Sequence, residues 1–136
     1  MLIRISGSST RLAAAAAGLL LAVAAHATSA TELLVAYSRQ AGAAASASRG
    51  QTFFTERHGR EWSCSSCHGA LPVQAGRHAA TGKSISAMAP AVTADRFTDD
   101  AKTEKWFRRN CNDVVGRECT AGEKADVLGW LLALKQ

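Results

Sequence analysis

Cys64-Ser65-Ser66-Cys67-His68 constrains this chain more than any other stretch. Two thiols separated by two residues can reach the two vinyl groups on one edge of a porphyrin, and the histidine that follows is left beneath the iron as an axial ligand. The pattern predicts one covalently bound haem c, carried on thioethers from Cys64 and Cys67 and ligated by His68. The competing readings are a thioredoxin-like redox pair and half of a zinc site. The adjoining His68 and the export signal described next weigh against both. A large flat apolar cofactor becomes the middle of the hydrophobic core, so the remaining elements are read as its wrapping.

Residues 1–30 read as a secretory leader. Arg4 and Arg11 form a positive start, Ala13 to Ala25 is an unbroken small and apolar run, and Ala25-His26-Ala27 supplies a small-x-small cleavage pattern. Cleavage after Ala27 or Ala30 fits. The alternative is an uncleaved anchor, but thirteen residues fall short of the roughly 20 that a spanning helix needs. The expectation is therefore an exported, periplasmic protein with no stable membrane insertion, and residues 31–136 as one monohaem domain.

Of the 16 basic residues in the full chain, Arg4 and Arg11 leave with the leader, so 14 remain against 11 acidic residues, a net charge of +3 rather than +5. Two ionised haem propionates would lower it further. The basic residues are scattered singly, as on a solvated surface, and nucleic acid is not an expected partner. No hydrolase or phosphate-binding motif is present.

Cys111 and Cys119 remain after the haem motif is assigned. In an oxidising compartment such a pair most simply forms a disulfide. A four-cysteine zinc site with Cys64 and Cys67 is the other possibility.

The periodicity predicts an all-α chain without strands. An amphipathic helix is expected over Thr31 to Gln40, with Leu33, Leu34 and Tyr37 on one face, and a second from about Ser48 to His58, capped by Ser46 or Ser48, with Phe53 and Phe54 turned inward. The stretch from Gly69 to Phe97, with Pro72, Gly76, Gly82 and Pro90, reads as loop, which so long a segment can be if it encloses a cofactor. Thr98 is the expected cap of a third helix, with Asp99 and Asp100 in its first turn and Arg108 and Arg109 in its last. Thr120-Ala121-Gly122-Glu123 is a capping box opening a terminal helix with Val127, Leu128, Leu131 and Leu134 on a stripe. Trp130 is expected to pack near Gly50 and Phe54, where glycine permits a close crossing.

This order of elements resembles a class I cytochrome c wrapped around one haem, with an extra N-terminal helix. The blocks Arg96-Phe97-Thr98-Asp99, Glu104-Lys105-Trp106-Phe107-Arg108-Arg109-Asn110-Cys111-Asn112-Asp113, Gly116-Arg117-Glu118-Cys119-Thr120 and Glu123-Lys124-Ala125-Asp126 resemble the oxygen-binding high-spin cytochromes of the SHP type. The related cytochromes c″ share the pattern, and the match runs from about Glu32 to the C-terminus.

The resemblance implies that Asn110, directly before the first cysteine of the small loop, ligates oxidised iron and lets go on reduction, opening the iron to dioxygen, nitric oxide or carbon monoxide. It also implies a dihaem cytochrome c or a membrane cytochrome b as redox partner. Chemistry agrees, since a neutral amide oxygen is a hard donor better matched to iron(III) than to iron(II). Read from residues alone, Asn110 could instead cap the end of its helix. Met88 is the rival ligand, as in a conventional low-spin electron carrier; His58, His78 and a vacant position are lesser alternatives. Lys83 and Arg96 are candidate propionate contacts. Electron transfer with small-ligand binding is the expected role; an enzyme acting on oxygen or nitrogen oxides is the remaining alternative, without a recognisable distal acid–base pair.

Overall fold

The computed structural model describes residues 28–135. The expected leader lies outside the described residues except for Thr28, Ser29 and Ala30. Helix α1 spans Ala30–Ala41, one residue longer at each end than its periodicity predicts. Ser29 caps it reciprocally with Glu32: the Glu32 N–H donates to the Ser29 hydroxyl at 3.1 Å, and the Ser29 N–H donates to the Glu32 carboxylate at 2.7 Å. Helix α2, Ala47–Thr55, is capped by Ser46 and ends three residues before the expected His58. The chain turns extended at Glu56, and the His58 ring folds back to donate through Nε2 to the Phe53 carbonyl at 2.8 Å, satisfying a group that the helix end leaves open.

Helix α3, Ser65–His68, is a single turn. Contrary to the strand-free expectation, the loop beyond it contains a small antiparallel hairpin, β1 Gly76–Arg77 and β2 Ser84–Ile85, with Gly76 opposite Ile85 and Arg77 opposite Ser84. Two-residue strands are too short for side-chain alternation to register in sequence.

Helix α4 spans Asp100–Val114. Its cap is Asp99 rather than Thr98: Asp99 Oδ1 accepts from the Lys102 N–H at 2.8 Å, while the Thr98 hydroxyl donates back to the Asp95 carbonyl. The helix also continues past the expected end. Arg108 and Arg109 therefore lie in its middle and do not complement its C-terminal dipole. The chain leaves α4 only where the Val115 and Gly116 amides both reach the Cys111 carbonyl and Gly116 adopts φ +82, the left-handed geometry that glycine tolerates at a helix end. Helix α5, Ala121–Ala133, begins with the anticipated Thr120–Glu123 capping box.

Helix α5 is the centre of the packing. Leu33 and Tyr37 of α1 pack with Ala125 and Leu128 of α5; Phe54 of α2 packs with Val127, Trp130 and Leu131. At Gly50 the α2 backbone lies so close to the Asp126 carbonyl that any Cβ would overlap it. Beside that crossing, the buried Asp126 carboxylate accepts from the Ser46 N–H at 2.6 Å and from the Arg49 guanidinium at 2.7 and 2.8 Å. Its lone pairs are thereby satisfied in a place where an unpaired charge would be costly.

Candidate haem site

The site is built on α3 and the residues just ahead of it. Ser63 is buried and fastens the turn: its N–H donates to the Ser66 hydroxyl at 3.0 Å, and its own hydroxyl lies 2.7 Å from that of Ser65. The His68 N–H then bonds to the Cys64 carbonyl at 3.1 Å. This helical turn brings Cys64, Cys67 and His68 together at spacings of three and four residues, which share a helix face. The hairpin closes over the turn. Gly76 approaches the Cys67 carbonyl more closely than any side chain could, and the Ala79 N–H points at Cys67 Sγ from 3.2 Å.

The chemistry of these groups fits a covalent haem. Cys64 and Cys67 are half-buried and outside the disulfide, and burial pushes the Cys64 thiol up to about 11, so before haem attachment it would be uncharged. Burial, with the nearby Arg96 charge adding to it, takes His68 down to about 4. Its imidazole is consequently neutral at neutral pH, the form that carries a lone pair for a metal. Phe54 lies 6.1 Å from the His68 ring and 5.0 Å from Trp130, bearing out the expected Trp130–Phe54 neighbourhood. Phe53, Cys64, Met88, Phe97 and Phe107 pack against this cluster, an apolar wall suited to a flat cofactor.

The candidate outer ligands sit in different settings. Met88 donates its backbone N–H to the Pro72 carbonyl at 2.9 Å and its side chain packs into the Phe54–Trp130 cluster. It is thereby tied to the segment that directly follows His68. Asn110 is exposed on α4, five residues before the Val115 cap, and so does not cap the helix. Its side-chain amide makes no hydrogen bond to any described residue, whereas the nearby Asn112 amide donates to the Arg108 carbonyl at 2.8 Å. One turn beyond Asn110, Asp113 lines an open cleft of about 470 Å³ together with Gly59, Arg60, Glu61 and Trp62. That cleft lies between the C-terminal part of α4 and the residues leading into Cys64, and Asn110 is not among the residues that line it.

Of the other candidates, His58 is committed to the Phe53 carbonyl and stacks on the Phe53 ring at 4.3 Å. His78 is exposed, and its Nδ1 accepts from the Ala80 and Thr81 amides. Arg96 donates to the Ser86 and Ala87 carbonyls, both at 3.1 Å, and so braces the Met88 segment; Lys83 is exposed. Cys111 and Cys119 form a disulfide with Cα atoms 5.6 Å apart. Their thiols are consumed by each other, which removes the four-cysteine zinc alternative.

Tyr37, Glu104 and Lys124 form a network that the sequence reading did not pick out. The Tyr37 hydroxyl donates to Glu104 at 2.6 Å and the Lys124 ammonium donates to its other oxygen at 2.7 Å. A tyrosine on the buried face of an amphipathic helix was the available signal, because a buried phenol needs a partner.

Residues 40–131 match the family described as a domain of unknown function, DUF1924. The chain is 51% identical over 110 residues to the cytochrome c-type protein SHP of Cereibacter sphaeroides, covering 78% of this chain and 84% of that protein. It belongs to the SHP family of c-type cytochromes. Within that family the solved structure of oxidised SHP, an oxygen-binding cytochrome c, superposes with a TM-score of 0.75 at 50% identity, covering 79% of this chain and 98% of that one. Cytochrome c″ of Methylophilus methylotrophus is 40% identical over 87 residues, 61% of this chain and 60% of that protein; its oxidised crystal structure superposes with a TM-score of 0.73 at 35% identity. The helical fold is that of these cytochromes, and the chain carries one covalently bound haem c, like its SHP and cytochrome c″ relatives.

Proposed function

We propose that this chain is an exported, periplasmic electron-transfer cytochrome in which Asn110 would serve, besides His68, as a redox-labile ligand to the haem iron. The haem would supply a one-electron iron couple and, once the amide is released, a place for dioxygen, nitric oxide or carbon monoxide. Cys64 and Cys67 would hold it covalently and His68 would ligate the iron. Lys83 would be a candidate propionate contact, and so would the part of the Arg96 guanidinium not already donated to the Ser86 and Ala87 carbonyls.

The observation that carries this reading is the exposed Asn110 amide within α4, which has no hydrogen-bond partner among the described residues and stands one turn before Asp113 at the cleft beside Trp62. Its oxygen suits the oxidised iron and is poorly matched to the reduced one. Cys111, the next residue, is buried and tied to Cys119, so withdrawal is a local movement beside a fixed point. Oxygen binding by the related SHP supports the gas-binding half of the proposal.

The disulfide suits an oxidising compartment, which supports export. Among the described residues no helix is long and apolar enough to cross a membrane. A dihaem cytochrome c or a membrane cytochrome b is the proposed electron partner.

Visible absorption of the oxidised and reduced protein, with and without carbon monoxide, tests the reading. High-spin reduced haem that takes up the gas at once is the expected result. A low-spin reduced spectrum indifferent to the gas would overturn it and return the ligand to Met88.

A further inference from the structure

Helix α4 is held to the body of the protein at two places. Near its C-terminal end Cys111 is bonded to Cys119 at the foot of α5. In its second turn, Glu104 takes the Tyr37 hydroxyl of α1 through one carboxylate oxygen and the Lys124 ammonium of α5 through the other, at 2.6 and 2.7 Å. The second attachment is strengthened by aromatic contact. Phe107 meets Tyr37 edge to face with ring centroids 5.9 Å apart, and the Lys124 ammonium sits 5.4 Å from the Tyr37 ring and 5.9 Å from that of Phe107. Tyr37 is almost wholly buried and the Lys124 side chain is 14% exposed. The Glu104 side chain is itself 45% exposed, so solvent partly screens the ion pair; loss of its charge would still leave the Tyr37 and Lys124 donors poorly paired.

Asn110 stands six residues after Glu104, about 9 Å further along the same helix at 1.5 Å per residue. It lies between the two attachments, next to the disulfide. A helix held at both points can shift its Asn110 side chain but cannot swing as a body.

We infer that Tyr37, Glu104 and Lys124 form a latch that fixes α4 and thereby holds the Asn110 amide at the oxidised iron. Glu104 is a positioning residue for the redox-labile ligand. The inference rests on the Asn110 reading above and adds its control: the latch sets how firmly the oxidised protein resists foreign ligands. A ligand that must displace Asn110 binds with its affinity reduced by the fraction of iron left free. Loosening the latch raises that fraction.

The experiment titrates the oxidised holoprotein with imidazole and with azide, followed by the shift of its visible spectrum, in wild type, Glu104→Gln, Asn110→Val and the double variant. Glu104→Gln keeps an acceptor for Tyr37 and removes the charge that faces Lys124. It is expected to tighten both ligands about fivefold, the factor that corresponds to roughly 1 kcal/mol, and to speed amide hydrogen exchange in α4. Tyr37→Phe, which keeps the ring against Phe107, is expected to act in the same direction more weakly; it serves as the second probe should Glu104→Gln fold poorly. In the Asn110→Val background the ligands already bind tightly and Glu104→Gln is expected to add nothing.

Unchanged ligand affinity in both Glu104→Gln and Tyr37→Phe would overturn the latch, and so would an equal gain with and without Asn110. If Asn110→Val leaves the oxidised spectrum and ligand affinity unaltered, the underlying ligand assignment fails instead. The two failures are thus separable.

Discussion

The backbone of Met88 is fastened to Pro72: the Met88 N–H donates to the Pro72 carbonyl at 2.9 Å, and the following Ala89 N–H reaches the same oxygen at 3.1 Å. Arg96 braces the strip from outside through the Ser86 and Ala87 carbonyls. These bonds fix the backbone of Met88, and its side chain packs against the Phe54–Trp130 cluster; on the Asn110 reading proposed above it is a packing residue. Met88→Leu, nearly volume-conserving, is expected to leave the oxidised and reduced spectra unchanged and to cost less than about 1.5 kcal/mol on unfolding. Asn110→Val is expected to preserve haem attachment and alter the oxidised spectrum. Visible absorption of both purified variants decides between the two residues.

Gly50 marks the point where α2 and α5 touch backbone to backbone, against Asp126 and Val127. The clash in Gly50→Ala involves a main-chain carbonyl and cannot be relieved by a side-chain rotation. Denaturant unfolding of the holoprotein is expected to show a loss of about 1–3 kcal/mol, as for other overpacked sites.

Replacing Cys111 and Cys119 with Ser removes a short cross-link between the end of α4 and the start of α5. The expected loss of stability is about 2–3 kcal/mol by the loop-entropy relation. Mass spectrometry should still find haem on Cys64 and Cys67, because those thiols take no part in the disulfide. A haem-free product would contradict that independence.

Two carboxylates give the stability an acid limb. At Glu104 burial works to raise the pKa, but hydrogen bonds from Lys124 and Tyr37 outweigh it and hold the group below its ordinary value. At Glu123 the Arg117 hydrogen bond holds the pKa down. With depressed pKa values the folded state binds fewer protons than the unfolded chain, so stability is fully present above the unfolded value of about 4.3 and falls as pH drops through the folded ones. Thermal unfolding between neutral and strongly acid pH should show this decline, and Glu104→Gln should flatten it.

Cleavage after Ala30 would remove both the Ser29 cap and Ala30 itself, which is buried with Leu33, Tyr37, Ala125 and Leu128. Cleavage after Ala27 keeps both. On the proposed leader cleavage, the intact mass of the purified holoprotein is expected to correspond to a chain beginning at Thr28. A mass matching a Thr31 start would show that α1 begins without its cap.

Elements written in local chemistry were readable directly. The haem motif, the Thr120–Glu123 capping box and the apolar stripe of α5 depend on residues within a few positions of one another, and spacing along the chain is their geometry. The same holds for the bulk of α1 and α2. Helix ends were less legible where distant or folded-back groups compete for them. Thr98 lost the cap to Asp99 because its hydroxyl turned to Asp95, and α2 stopped early where the chain turns extended at Glu56 and His58 returns to Phe53. Other features depend on residues far apart in sequence meeting in space: the attachment of Met88 to Pro72, the Asp126 carboxylate between Ser46 and Arg49, and the three-helix convergence of Tyr37, Glu104 and Lys124. No one-dimensional pattern records such meetings, because they arise only when separately formed helices bury their faces against α5 and their polar groups must find partners there.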